Sequence, residues 1–237
     1  METPDGALRK ALADDPGRPL ITMYDDRTGE RVELSVATVD NWVSKTANLL
    51  QEADAATAAV LLPAHWQTAV VLLGCWRAGV AVGYSPVPGN GPDADVVFVA
   101  ADRADEAPAA DEVWALSLAP LAAPLREVPP GALDYAVEVR GHGDRFTPYA
   151  PLDPGAPGLI AGDSLAELGA AGRARAADLG LEPGGRLLVT TDEKDQPSPV
   201  DWLLAPVVAG AGLVLVRHPD PARIDHLAET ERVTVRL

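Results

Sequence analysis

The feature that most constrains this chain is a set of short apolar runs that do not alternate. Ala58-Ala59-Val60-Leu61-Leu62 ends at Pro63, and Val96-Val97-Phe98-Val99-Ala100 contains no polar residue. A strand with one wet face alternates, whereas a run without alternation has both faces covered, as in a parallel sheet. Helix-period stretches lie between such runs. Ser35 precedes Val36, Val39, Trp42, Val43, Ala47 and Leu50, a spacing that predicts a helix ending near Glu52 with Ser35 as its N-cap. Residues 65–77 predict a second helix, closed by Ala78-Gly79. Strands are expected at 20–24 and 30–34, joined as a hairpin through Asp25-Asp26-Arg27-Thr28-Gly29, and at 58–62, 80–84, 96–100 and 111–118. Farther on, predicted helices at 165–179, 199–209 and 221–229 alternate with predicted strands at 186–190, 212–216 and 233–237. This rhythm calls for βαβ units with right-handed crossovers. The expected fold class is therefore α/β, with parallel-rich sheets and helices on both faces. A Pro/Gly-rich stretch at 119–157, with one strand expected from the alternation at 135–139, separates a first lobe (1–118) from a second (158–237).

Charge narrows the function. Nineteen Lys and Arg against 35 Asp and Glu give a net charge of −16. Such a chain repels phosphate backbones and anionic lipid, so neither nucleic acid nor a membrane surface is an expected partner. The single cysteine, Cys75, sits in the apolar run 70–76 and reads as a small buried hydrophobe. It forms no internal disulfide, which suits a reducing cytosol. The charged N-terminal stretch lacks the apolar segment of a secretory signal, and no apolar run reaches the roughly 18–20 residues that span a bilayer. The expected location is cytoplasmic. The four histidines, His65, His142, His218 and His226, make no H-x-x-x-H pair and Cys75 no C-x-x-C, so no metal site is expected, and solvated surface positions are the plain reading for each. Asp192, Glu193 and Asp195 read as a solvated charge run.

The order of several short motifs resembles the first half of the adenylate-forming superfamily, the AMP-dependent synthetases and ligases that include the acyl-CoA synthetases. Thr28-Gly29-Glu30-Arg31, Leu34-Ser35 and the helix to Leu50 resemble its opening. Val60-Leu61-Leu62-Pro63 resembles its strand-plus-proline element, and Arg77-Ala78-Gly79-Val80-Ala81-Val82 with Pro86 its "K-A-G-A-x-x-x-P" turn. Leu181-Glu182-Pro183-Gly184-Gly185-Arg186-Leu187-Leu188, Leu204-Ala205-Pro206-Val207-Val208-Ala209-Gly210-Ala211 and Arg232-Val233-Thr234-Val235 resemble its "L-x-P-G-D-R-x-L", "P-L-L-A-G-A" and "R-V-T" segments. The bias toward Ala, Asp, Arg, Pro and Gly suits a shortened relative from a high-GC actinobacterial genome. The resemblance implies a phosphate loop of the form T-S-G-T-T-G-x-P-K-G just before the helix that starts near Ser164. The residues there, Leu152-Asp153-Pro154-Gly155-Ala156-Pro157-Gly158-Leu159-Ile160, hold no Thr-Ser-Gly run and no lysine; the lysines are Lys10, Lys45 and Lys194. With the chain ending at Leu237, the family's adenine- and ribose-binding elements and its mobile C-terminal domain are expected to be missing. No ATP-dependent ligase chemistry and no cofactor are therefore expected of this chain alone.

Two further readings concern single residues. Gly162-Asp163-Ser164-Leu165 spells the nucleophile motif of GDSL hydrolases, but neither His218 nor His226 follows an Asp at the D-x-x-H spacing, and Ser164-Leu165-Ala166-Glu167 also reads as a capping box. His65 and Trp66 follow the C-terminal end of the 58–62 strand, the edge where open α/β sheets bind ligands, and are candidate ligand contacts with Ser164. The expected function is a non-catalytic relative that binds a small ligand or a partner protein, with self-association as one form. The alternatives are a subunit of a split adenylate-forming ligase and a hydrolase using Ser164.

Overall fold

The structure is a computed structural model that describes residues 2–86, 91–192 and 195–237. In chain order its elements are α1 (Pro4–Asp14), β1 (Pro19–Asp25), β2 (Glu30–Ser35), α2 (Val36–Glu52), β3 (Thr57–Leu61), α3 (Trp66–Ala78), β4 (Ala81–Tyr84), β5 (Val96–Ala100) and β6 (Glu112–Leu116). There follow β7 (Leu133–Asp134), α4 (Tyr135–Glu138), α5 (Leu165–Asp178), β8 (Arg186–Thr191), α6 (Ala205–Ala209), β9 (Gly212–Arg217), α7 (Pro221–Thr230) and β10 (Val235–Arg236). The fold is α/β, with two parallel-rich five-stranded sheets flanked by helices. Among the described residues no helix is long and apolar enough to cross a membrane.

The chain divides into two compact units. Unit 1 comprises Met1–Val39, Ala64–Trp66 and Ala166–Leu237, and unit 2 comprises Asp40–Pro63 and Gln67–Leu165. These boundaries differ from the expected lobes at 1–118 and 158–237. The cause is the pairing of β1 with β9 (Ile21 with Leu213 through Asp25 with Arg217), which takes the first hairpin into the sheet built by the last third of the chain.

In unit 1 the strand order is β10-β8-β9-β1-β2, parallel except for the β1–β2 hairpin. Ser35 caps α2 as its sequence predicts, its Oγ accepting from Thr38 N at 3.2 Å. The sequence reading has no helix before residue 20, yet α1 is there. Thr3 accepts from Gly6 N, Pro4 opens the first turn, and Ala7, Leu8 and Ala11 form a buried stripe. The helix predicted at 199–209 is broken into a π-helical turn (Val200–Leu204) and α6. Pro206 has no N–H to give the Trp202 carbonyl, so the i→i+5 bond from Ala205 N to Val200 O carries the turn instead.

In unit 2 the strands β4-β3-β5-β6-β7 are all parallel. Every residue of β5 is buried, as its unbroken apolar run requires. Phe98 packs on Trp114 with ring centroids 4.9 Å apart and meets Tyr135 edge-on at 5.8 Å. Each such buried side chain contributes about 1.5–3 kcal/mol of transfer free energy. The strand expected at 135–139 is instead α4. Asp134 accepts from Ala136 N and caps it, and Tyr135, Ala136 and Val139 are buried while Val137 is 53% exposed, a helical rather than a two-residue period. Cys75 is buried as expected. Most of the Pro/Gly loop expected at 86–92, and Glu193 of the acidic run, lie outside the described residues.

Candidate functional site

The C-terminal edge of the unit 1 sheet gathers polar residues from four strands. Register places Thr191 of β8 beside Arg217 of β9, Arg217 beside Asp25 of β1, and Asp25 beside Glu30 of β2. The parallel strands β8, β9 and β1 end at this row in Thr191, Arg217 and Asp25, and the antiparallel β2 begins there with Glu30. In open α/β sheets this is the edge that receives ligands.

The row is cross-linked. Asp25 is 3% exposed and accepts from the Arg27 and Thr28 N–H groups at 2.9 and 3.2 Å. His218 Nδ1 lies 3.1 Å from Asp25 Oδ1, and Arg217 Nη1 lies 3.6 Å from Oδ2. Burial pushes the Asp25 carboxyl up, but His218, Arg217 and the Thr28 N–H outweigh it and hold the group below its ordinary value. Glu30 moves the other way: burial and the Asp25 charge raise it, against the pull of Arg217. His218 stands in the left-handed region at φ 49°, a strained position for a residue with a Cβ, and donates its backbone N–H to Thr191 O at 2.9 Å. Thr191 Oγ1 donates to Asp195 O at 2.9 Å.

The loop Ala64–Trp66 joins this unit through Ala64 N, which donates to Gln196 Oε1 at 2.8 Å. His65 and Trp66 therefore belong to unit 1, with ring centroids 5.8 Å apart. The plain reading of His65 as a solvated histidine is wrong, because its side chain is fully buried. Burial, assisted by the Arg217 charge, pushes the imidazole well below its ordinary value and keeps it neutral. Trp66 is buried as well. Asp25, Glu30 and Arg217 were not singled out from the sequence. The signal available was a charged residue ending each of two apolar strands.

Ser164 belongs to unit 2 and precedes the first residue of α5, the position of an N-cap. The segment ahead of it is a tight hairpin in which Pro157 bridges Ser164. Gly158 N and Leu159 N both donate to Asp163 O at 2.9 Å, Ile160 N to Val82 O at 3.0 Å, and Leu165 N to Ala156 O at 3.0 Å. Gly155 N bonds Asp153 Oδ1, Ala156 N bonds Asp153 O, and Trp76 Nε1 donates to Gly158 O at 3.0 Å. Among the described residues no group of His, Cys, Asp and Glu could hold a metal ion.

No family model matches the chain. A TIGR03089 family protein of Mycobacterium tuberculosis (strain ATCC 25618 / H37Rv) is 43% identical over 238 residues, covering 96% of this chain and 94% of the relative. Among solved structures, an acyl-CoA synthetase of Brucella canis superposes with a TM-score of 0.74 at 16% identity. That match covers 97% of this chain and 46% of the synthetase, so the chain spans less than half of the enzyme's length. The shared fold agrees with the resemblance read from the sequence.

Proposed function

The chain belongs to the TIGR03089 family, and on that premise we propose that it is a non-catalytic relative of the adenylate-forming enzymes, binding a small ligand or a partner protein without ATP chemistry. The observation that carries this reading is the state of the backbone at 153–165. A phosphate loop works by offering unengaged N–H groups and a cation to the phosphates. Here the amides of Gly155, Ala156, Gly158, Leu159, Ile160 and Leu165 are already donated within the chain. Pro154 and Pro157 have none to offer, and the charged side chains of the segment are Asp153 and Asp163. Transfer at phosphorus requires that developing negative charge be met by donors and cations. These residues do not fit that task.

Exposed apolar side chains support the partner arm of the reading: Leu121 is 76% exposed, Val137 53% and Leu133 42%, all within unit 2. The buried Cys75 thiol is pushed up by its burial and so offers no nucleophile.

The test is thermal unfolding with and without Mg-ATP, AMP and a non-hydrolysable acyl-AMP analogue. A ligand present at about 100 times its Kd adds about 2.7 kcal/mol. In a chain of this length that moves the midpoint by roughly 5–10 °C. The expected result is no shift with any of the three. A shift shared by all three would restore the nucleotide site and overturn the proposal.

A further inference from the structure

We propose that the cleft between α1 and the C-terminal end of α6 binds a small anion, a carboxylate or a phosphate, through Arg18 and Lys10. The cleft has a volume of about 150 Å³. One wall is a single face of α1, with Ala7, Lys10, Ala11 and Asp14 at helical spacing; the other is Val207–Gly210 with Pro183. A dry engineered cavity of about this volume takes a benzene-sized molecule, so an occupant of about six heavy atoms fits. The apolar lining from Ala7, Ala11 and Val207 leaves recognition to the two cations.

Arg18 is set apart by being half-buried with no carboxylate in contact. Arg173 holds Glu2, Arg175 holds Asp201, Arg186 holds Glu231 and Arg77 holds Asp40, at 2.6–2.8 Å. Among the described residues Arg18 and Lys10 hold no carboxylate within ion-pair distance. Lys10 is exposed, but Arg18 is half-buried. Its backbone is fixed, since its carbonyl accepts from Val36 N at 2.9 Å. Burial pulls the guanidinium below its ordinary value, with Asp15 and Asp14 opposing from beyond contact distance. A half-buried cation without a counterion is unfavourable, and an anion beside it removes that penalty. Of the two acids in the lining, Glu2 is neutralised by Arg173 and Asp14 is exposed to solvent. In a chain of net charge −16 the cleft thus presents a half-buried guanidinium that no carboxylate contacts.

The test is calorimetric titration of the full chain with inorganic phosphate and with acetate, against chloride at equal ionic strength. Saturable binding of either anion above the chloride background is expected, weakened at least tenfold in Arg18→Gln and several-fold in Lys10→Gln. Binding of phosphate alone or acetate alone identifies the class. Should Arg18→Gln fail to fold, Lys10→Gln on the exposed rim still reads the site. No binding beyond chloride, or binding unchanged in the folded variants, overturns the proposal. The probes contain no adenosine, so either outcome leaves the reading of the 153–165 segment to its own experiment.

Discussion

At the C-terminal edge of the unit 1 sheet the last register row is Thr191, Arg217, Asp25 and Glu30; in the unit 2 sheet the corresponding strands end in Leu61, Val99 and Ala115, then Ala100 and Leu116. The first row is polar throughout; the second is apolar across β3, β5 and β6 and meets a charged residue, Asp134, only at the edge strand β7. An apolar edge is stabilised by packing and offers little chemistry. A polar edge carries a desolvation penalty for every buried group, and the structure meets it by cross-linking: Asp25 alone engages two backbone amides, a histidine and an arginine. The cross-linked polar row therefore belongs to unit 1, and the aromatic packing that sets a large stability term belongs to unit 2.

The largest effect that follows is Trp114→Ala in unit 2. Trp114 is fully buried and packs on Phe98 with the rings tilted at 45°, so its removal is expected to lower unfolding free energy by about 3–5 kcal/mol in urea. A loss below about 1 kcal/mol would break the comparison, because the apolar edge would then carry no more stability than a surface contact.

Legibility follows the same division. The strands of unit 2 could be read because β3 and β5 are uninterrupted apolar runs whose burial is encoded locally. The polar row could not, because it exists only once β1 and β9, about 190 residues apart, lie side by side. Asp25 is the last residue of β1 yet reads in sequence as part of a hairpin loop. His65 looks like a helix-start surface residue until Gln196, about 130 residues away, ties its loop into unit 1. Local signals also misled where two were superimposed. Tyr135, Val137 and Val139 alternate on paper, but the Asp134 cap settles the segment as a helix. The Thr3-Pro4 cap is a readable start signal for α1, but its buried stripe is mainly alanine, a weak periodic signal.

A smaller effect tests the polar row itself. Asp25→Asn keeps an acceptor for the Arg27 and Thr28 amides but removes the charge facing Arg217 and His218. The expected loss at pH 7 is about 1–3 kcal/mol. Because the folded-state carboxyl is held below its ordinary value, its contribution is full above about pH 4 and is lost as pH falls through the folded value. The gap between wild type and variant should therefore close in strong acid. Glu30 has the opposite sign: raised in the folded state, it favours folding when protonated and loses that contribution as pH rises. A gap that stayed constant from pH 7 into acid would mean that Asp25 serves the fold as a hydrogen-bond acceptor only.

The smallest expected effect decides whether the polar edge is held by its strand row or by the loop beyond it. Asp220 caps α7, accepting from Ala222 N at 3.0 Å, and its own N–H donates to Asp26 Oδ2 at 2.8 Å. Asp220→Ala removes the cap and leaves the backbone donation in place, so a loss of about 1 kcal/mol is expected. Thermal unfolding would show this as a fall of roughly 2–4 °C, recovered by Asp220→Asn, which restores the acceptor. If Asp220→Ala instead destabilised as much as Asp25→Asn, the α7 cap would be what holds the edge together. The register row would then be the consequence of that loop, and the polar edge of unit 1 would depend on a single turn where the apolar edge of unit 2 depends on a whole core.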